Sequence, residues 1–152
     1  MSNEKATSAD AEVVLKLYDL RREAEMRKAR DFMANFWPQS ADELIKLAMG
    51  FGTQENAWMR QVFTYWDMVA AIILRGALHP ELAFDTTGEM WFVYAKVKPF
   101  LKEMREKMQA PEAFANIEKV VEGTPEGRQR LKTLQERLAR VAAMRAKASA
   151  AD

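Results

Sequence analysis

The sequence predicts an all-α fold, an irregular bundle of five to six helices that ends in a long amphipathic C-terminal helix. Two observations support this prediction. Apolar residues recur at steps of three and four along most of the chain, as they do on one face of an α-helix. Helix-capping patterns punctuate these stretches, and no segment alternates apolar and polar residues as a half-buried strand does.

Size and composition favour a single helical domain over residues 1–152 in a reducing cytoplasm. A chain of 152 residues has the usual length of one domain. Its net charge of +1 supplies no field that would draw it to DNA or to an anionic membrane. It contains no cysteine, which excludes disulfides and thiol catalysis. The longest apolar run, Met68 to Leu74, is far shorter than the roughly 20 residues that cross a bilayer, so we expect no membrane insertion.

The first helix is expected from about Ala9 to Asn35, ahead of the Trp37-Pro38 pair. Proline disfavours helical geometry in the residue before it, so the helix should end there. Its apolar positions form two stripes that are displaced from one another, which indicates a bend or two successive packing partners. The charged residues 19–31 between the stripes are interpreted as a solvated face.

The boundaries of the later helices follow from local signals. Ser40 with Glu43, and Thr86 with Glu89, match the capping-box pattern that satisfies the first free amides of a helix. Further signals are Thr53 and Gly76 at the ends of a central helix, Pro80 before a single turn, Pro111 and Gly123 around a short helix, and Thr124-Pro125 before the last one. Pro99 falls inside a predicted helix, where it removes one backbone hydrogen bond and favours a kink.

The central helix, from Thr53 to Arg75, is apolar on most of its circumference, which is typical of the buried middle of a domain. Its one narrow polar strip contains Asp67. We interpret Asp67 as a structural carboxylate, because ion-pair networks explain many acids that resemble site residues. The alternative is a polar pocket that Asp67 forms with Tyr65 and Trp91, in which the carboxylate would bind a partner or a ligand.

Residues suited to catalysis are sparse, and we predict no catalytic residue, no cofactor and no metal site. The single histidine, His79, precedes Pro80, and without cysteine it cannot complete a zinc site of the usual nitrogen and sulfur ligands. Glu81, Asp85 and Glu89 are spaced by four, but Thr-Thr-Gly interrupts the helix between them, so they need not share a face. No Gly-x-Ser-x-Gly elbow or glycine-rich phosphate loop is present. The protein is therefore expected not to be an enzyme.

The C-terminal segment, residues 124–152, is predicted to be a basic amphipathic helix. It contains seven basic residues against three acids. Its apolar seam, about two heptads long, consists of Leu131, Leu134, Leu138 and Val141. Because a coiled coil is normally specified by at least three to four heptads, this seam is a candidate association element and not a coiled-coil signature. The sequence leaves open whether it packs on its own domain or on a second chain.

The stretch FTYWDMVAAIILRGALHPELAFDTTGEMWFVYAKVKPFLKEMR resembles an uncharacterised bacterial family of domains of unknown function. The shared features are an aromatic-rich helix ending at Gly76, a short turn from His79 to Asp85, and an aromatic helix broken by Pro99. They cover roughly residues 50–110. The resemblance implies a helical domain that is often attached to a membrane segment. This sequence has no apolar run long enough to form such a segment. It implies no catalytic residues and favours an interaction domain.

Two functional hypotheses follow. The leading one is a non-catalytic helical interaction or scaffolding domain that binds a protein partner or itself, for instance as a homodimer through the terminal helix. The second is binding of nucleic acid or another acidic partner by that basic helix, although a charged outer face is the commoner cause of such a pattern. A small-ligand or enzymatic bundle is a third interpretation, and it requires a ligand-sized cavity near Tyr65, Asp67 or Trp91.

Overall fold

The regular secondary structure in residues 4–151, the part of the chain that this computed structural model describes, is entirely helical. The helices are α1 (Ser8–Arg21), α2 (Ala24–Asn35), α3 (Ala41–Met49), α4 (Gln54–Leu74), α5 (Pro80–Thr86), α6 (Gly88–Met108), α7 (Ala115–Glu122) and α8 (Pro125–Ser149). The all-α fold class is therefore confirmed, but the predicted number of five to six helices is too low, because these residues form eight. None of these eight helices is long and apolar enough to span a bilayer.

The first predicted helix is in fact two helices, because the chain leaves helical geometry at Glu23, where ψ is 143°. The Glu23 carboxylate accepts hydrogen bonds from the amides of Glu25 and Met26, at 2.9 and 3.0 Å. It thereby satisfies two of the amides that a helix start leaves free, and it begins α2. The two displaced apolar stripes belong to two helices that bury different faces, with Leu17 in α1 and Met33 in α2 among the buried residues.

Local capping signals predicted several other boundaries correctly. Ser40, Thr53 and Thr124 each accept a hydrogen bond from the backbone amide three residues later, at 3.0 to 3.2 Å. They begin α3, α4 and α8 respectively. At the end of α4, Gly76 has a positive φ of 72°, and its amide bonds back to the carbonyl of Ile73. This is the left-handed helix ending that glycine adopts without steric cost.

The predicted capping box of Thr86 and Glu89 is wrong. The Thr86 hydroxyl donates to the carbonyl of Leu82 at 2.7 Å, inside α5, and the Glu89 carboxylate binds Arg30 of α2. Helix α6 accordingly begins at Gly88 without a side-chain cap. A tertiary ion pair therefore prevails over the local pattern, because both oxygens of this carboxylate bind Arg30 of α2 and not the backbone at the start of α6.

Helices α4 and α6 form the centre of the bundle. Helix α4 packs against α2, α3 and α7, and α6 packs against α3, α7 and α8. Both contribute aromatic rings to the core, and the largest fully enclosed side chains are Trp66, Trp91 and Tyr94. Each such ring removes roughly 150–250 Å² from water, and burial contributes about 25 cal/mol per Å². These three rings are therefore among the main stabilising contacts of the fold.

The long helix α8 packs on its own chain. It contacts α6 and α7, where Leu131 is buried and Leu134 and Leu138 are half-buried against the core. Burial then decreases along the seam, since Val141 is 36% exposed and Met144 is 68% exposed. The proximal half of α8 is therefore part of the core. Its distal half, residues 139–149, lies mostly at the surface.

Candidate binding groove

An apolar groove of about 680 Å³ lies between the end of α4, helix α5, the start of α6 and the turn from α7 to α8. Its lining consists of Ile73, Leu74, His79, Pro80, Glu81, Ala83, Phe84, Asp85, Trp91, Lys119, Val120, Gly123, Thr124 and Glu126. The volume lies within the range of clefts that bind ligands. We call it the apolar groove.

Two aromatic rings, Phe84 and Trp91, form the floor of the apolar groove. Their centroids are 5.1 Å apart in an edge-to-face arrangement. The indole Nε1 of Trp91 donates to the carbonyl of Gly127 in α8 at 3.1 Å, which fixes the orientation of the ring. The guanidinium of Arg130, also in α8, lies 4.7 Å from each ring centroid and donates to the carbonyl of Phe84. Helix α8 thus holds the floor of the groove in place.

The rim of the apolar groove is acidic. Glu81, Asp85 and Glu126 are exposed there, against one exposed lysine, Lys119. None of these three carboxylates forms an ion pair with another residue in the range 4–151. Beside them, at the end of α4, the side chain of Leu74 is 44% exposed. An apolar floor beneath a negative rim favours an occupant that has both apolar and cationic groups.

His79 lies at one edge of the groove and connects it to the N-terminal segment. Its backbone amide donates to the carboxylate of Asp10 at 2.7 Å, and its ring Nε2 lies 2.7 Å from the carbonyl of Glu4. Asp10 also forms a capping box with Thr7 at the start of α1. Hydrogen bonds from Thr7 first, and from the His79 amide second, lower the pKa of Asp10. These contacts attach α1 to α5.

A second hollow, of about 810 Å³, lies between the start of α6 and α8. It is larger than the apolar groove, but its lining contains two acids, Glu89 and Glu126, and two bases, Arg130 and Arg137. The Glu89 carboxylate is bound by the Nε of Arg30 at 2.8 Å, and Arg130 is bound to the backbone of α5. Glu126 lines both hollows. Because the charges of the second hollow balance, and because its Glu89 and Arg130 are bound within the fold, we take the apolar groove as the candidate site.

The three residues of the predicted polar pocket contact three different helices. The hydroxyl of Tyr65 donates to the carbonyl of Leu17 in α1 at 2.6 Å, and burial raises the pKa of Tyr65 to about 12. Asp67 binds the start of α7, and Trp91 donates to α8. Trp91 lines the apolar groove, whereas Tyr65 and Asp67 lie outside its lining.

Asp67 acts as the N-terminal cap of α7. Its carboxylate accepts hydrogen bonds from the Asn116 amide group at 2.8 Å and from the backbone amide of Ile117 at 3.3 Å. Helix α7 does not begin at Pro111, as predicted, but after Phe114, which is left-handed (φ 59°) and provides no capping side chain. A carboxylate from α4 therefore supplies the cap that the local sequence lacks. This geometry supports the structural interpretation of Asp67.

Sequence reasoning missed a buried lysine, Lys96, whose residue surface is 7% exposed. Its amine donates to the carbonyls of Met33 and Phe36 at the end of α2, and it lies 4.6 Å from the ring centroid of Phe92. Burial, and secondarily the charge of Arg145, lower the pKa of Lys96 to about 8. The only signal in the sequence is a lysine inside the aromatic stretch WFVYAKV.

The fold and the groove together define a class of protein, a helical domain with an acidic-rimmed apolar groove on its surface. The family model described as Domain of unknown function (DUF4760) matches residues 6–124, and the chain belongs to this family. The predicted resemblance to a family of domains of unknown function is thereby confirmed, and the match extends it over α1 to α7. The match ends directly before α8, which holds the floor of the groove. No curated protein and no solved structure matches the chain significantly.

Proposed function

We propose that this protein is a non-catalytic, cytosolic interaction domain whose apolar groove binds a basic amphipathic helix of a protein partner. The proposal rests on one observation, the combination of an apolar floor with three exposed carboxylates on the rim. Apolar side chains of the bound helix would cover Phe84 and Leu74, and its lysines or arginines would face the rim. Helix-in-groove binding of this kind uses anchors spaced at i, i+3 or i+4, and i+7.

The remaining parts of the proposal, a cytosolic location and a binding role, have separate support. A chain without cysteine suits a reducing compartment. Three polar side chains with the chemistry that a site would need are engaged with the backbone of neighbouring helices instead. These are Tyr65, Asp67 and Lys96. Their contacts stabilise the bundle, so we assign the groove a binding role.

A titration with two designed peptides tests the groove. The first peptide is a basic amphipathic helix with a stripe of leucines flanked by lysines, and the second keeps the leucines but replaces the lysines with glutamates. We expect calorimetry to detect binding of the basic peptide. The acidic peptide should bind at least about tenfold more weakly, because its glutamates would face like charges on the rim. Equal binding of the two peptides contradicts the proposal.

A matched pair of variants locates the binding surface. Leu74→Ser removes an apolar side chain from the groove, and Met68→Ser removes one of nearly equal exposure, 43% against 44%, from another face of the same helix. The proposal expects weaker peptide binding for Leu74→Ser and unchanged binding for Met68→Ser. If both variants weaken binding equally, the peptide does not bind in the groove.

The distal half of α8 favours a second candidate function, the binding of nucleic acid or another acidic partner. After Glu136, the charged residues within the described part of the chain are all basic, namely Arg137, Arg140, Arg145 and Lys147. Electrophoretic mobility shifts with DNA and RNA test it, and a steep loss of affinity with added salt is the expected signature. Absence of any shift at low salt rules this candidate out.

A further inference from the structure

We infer that the partner helix of the apolar groove is the distal half of α8 from a second copy of this chain. The inference rests on the proposed function, since it names the basic amphipathic helix that the groove binds. It would make the protein a homodimer in which each copy inserts its α8 terminus into the groove of the other.

The distal half of α8 has the chemistry that the groove requires. Met144, 68% exposed, and Val141, 36% exposed, lie three residues apart and form an apolar strip that is open to solvent in the described part of the chain. Arg140 and Lys147, four residues before and three residues after Met144, lie along one side of this strip, and Arg145 lies along the other side. All three bases are exposed. The helix therefore presents apolar side chains between cationic ones.

The groove presents the complementary surface. Its floor is apolar, and the exposed Leu74 extends that surface toward solvent. Glu81 and Asp85 follow the floor along α5, and Glu126 faces them from the start of α8. Since opposite charges attract across an interface and like charges exclude wrong partners, the acidic rim selects the one strongly basic helix of this chain.

The distal half of α8 cannot reach the groove of its own chain. Glu126, on the rim, is at the start of α8, and Met144 follows 18 residues later in the same unbroken helix. At 1.5 Å per residue these two positions are about 27 Å apart. The proximal half is fixed to the core by Leu131, so the helix cannot turn back. The occupant must therefore come from another molecule.

Two such contacts, one in each direction, would form a closed dimer. If two copies place their α8 helices antiparallel, the terminus of each lies beside the groove of the other, and both contacts form in one two-fold dimer. The second contact is then intramolecular and strengthens the first. In each chain, the Arg145 guanidinium lies 5.1 Å from the ring centroid of Trp37, so the distal half is already held near the body in a defined direction.

A charge-swap experiment on the full chain tests the inference. The tail variant carries Arg140→Glu with Lys147→Glu, and the groove variant carries Glu81→Lys with Asp85→Lys. Light scattering coupled to size exclusion should show a dimer for the wild type at low salt. Each variant alone should raise the dimer dissociation constant by about 30-fold or more, because the pairs on the rim become like-charge pairs in both contacts.

Mixing the two variants gives the decisive measurement. The acidic tail of one variant then faces the basic groove of the other, while their unaltered surfaces also pair, so an equimolar mixture should restore the dimer. A control with the same charge change on α1, Glu12→Lys with Asp19→Lys, should dimerise like the wild type, since both residues are exposed and neither lines the groove.

The outcomes separate this inference from the proposed function. A wild-type chain that stays monomeric up to about 100 µM, where a micromolar dimer would be formed, overturns the inference. So does a dimer that the charge swaps leave unchanged, since it then uses another face. If the basic peptide still binds in a Leu74-dependent manner in either case, the groove remains a binding site for a different partner. If the predicted dimer does not form and the basic peptide does not bind, both proposals are overturned.

Discussion

Lys96 is a buried amine that forms no ion pair with any residue in the range 4–151, and the cost of its burial depends on pH. Its pKa is lowered from the ordinary 10.5 to about 8. Between these values the unfolded chain holds a proton that the folded chain releases. The free energy of unfolding therefore rises with pH in this window, in proportion to the difference in bound protons. The full difference corresponds to about 3 kcal/mol.

Lys96→Met should abolish this gain. Urea unfolding of the wild type and the variant is measured at about pH 7.5 and about pH 10, spanning the interval in which Lys96 loses its proton. We expect the stability of the wild type relative to the variant to increase with pH. Tyr65 and Tyr94, whose pKa values burial raises, act in the opposite direction above pH 10, but they are present in both proteins. Parallel pH profiles would show that Lys96 keeps its proton.

Asp67→Ala should destabilise the protein by about 1–2 kcal/mol, the usual cost of losing an N-terminal cap. The reason is that the amide of Ile117 loses its acceptor. Asp19→Ala, on the exposed surface of α1, serves as the control and should change stability by less than about 0.5 kcal/mol. Hydrogen exchange should accelerate in α7 only for Asp67→Ala. Equal effects of the two substitutions would remove the capping role.

The sequence could not predict which neighbours the candidate site side chains contact, because these neighbours are distant in the sequence. Tyr65 binds Leu17, 48 residues away, and Asp67 binds Asn116, 49 residues away. Helical periodicity places a side chain on a face of its helix, but it does not identify the neighbour on that face. The polar strip that contains Asp67 was visible in the sequence, whereas the helix start that it caps was not.

At the scale of helices, three boundaries with local caps were predicted and two with tertiary causes were not. The start of α2, which Glu23 caps locally, was also missed. Ser40, Thr53 and Thr124 cap their own helices, so four residues of sequence contain the whole interaction. Helix α7 depends on a carboxylate from α4, and the start of α6 lost its predicted cap to an ion pair with Arg30. The acidic rim of the groove was likewise hidden, because Glu81 and Glu126 come from separate helices.

The burial gradient along α8 predicts unequal effects of two alanine substitutions in its seam. Leu131→Ala opens a cavity in the core and should cost about 2–5 kcal/mol. Val141→Ala removes a surface side chain and should cost less than about 0.5 kcal/mol. Both are measured by urea unfolding at low protein concentration, where self-association does not contribute. Similar losses at the two positions would mean that the distal half of α8 packs on its own core.

At the scale of the whole molecule, the family match and the folded unit do not have the same limits. The match ends at residue 124, and α8 begins at Pro125. Nevertheless α8 accepts the hydrogen bond of the Trp91 indole, stacks Arg130 on the floor of the groove and buries Leu131 in the core. In this chain the seven helices of the matched region therefore depend on an eighth helix that lies outside it.

This dependence predicts different outcomes for two truncations. A chain that ends at Gly123 loses the cover of Trp91, and exposing half of roughly 200 Å² of ring surface costs about 2.5 kcal/mol. Loss of the buried Leu131 adds a cost of similar size. Together these losses are a large share of a typical stability of about 5–15 kcal/mol.

We therefore expect calorimetry to show that the chain ending at Gly123 melts more than about 10 °C lower than the full chain, or without a cooperative transition. A chain that ends at Ala139 keeps the buried part of the seam, so it should melt close to the full chain when both are compared as monomers. It should also lose the dimer, because Val141 and Met144 are removed. If the chain that ends at Gly123 instead shows a cooperative transition at an unshifted temperature, α1 to α7 fold independently and α8 is an accessory to their core.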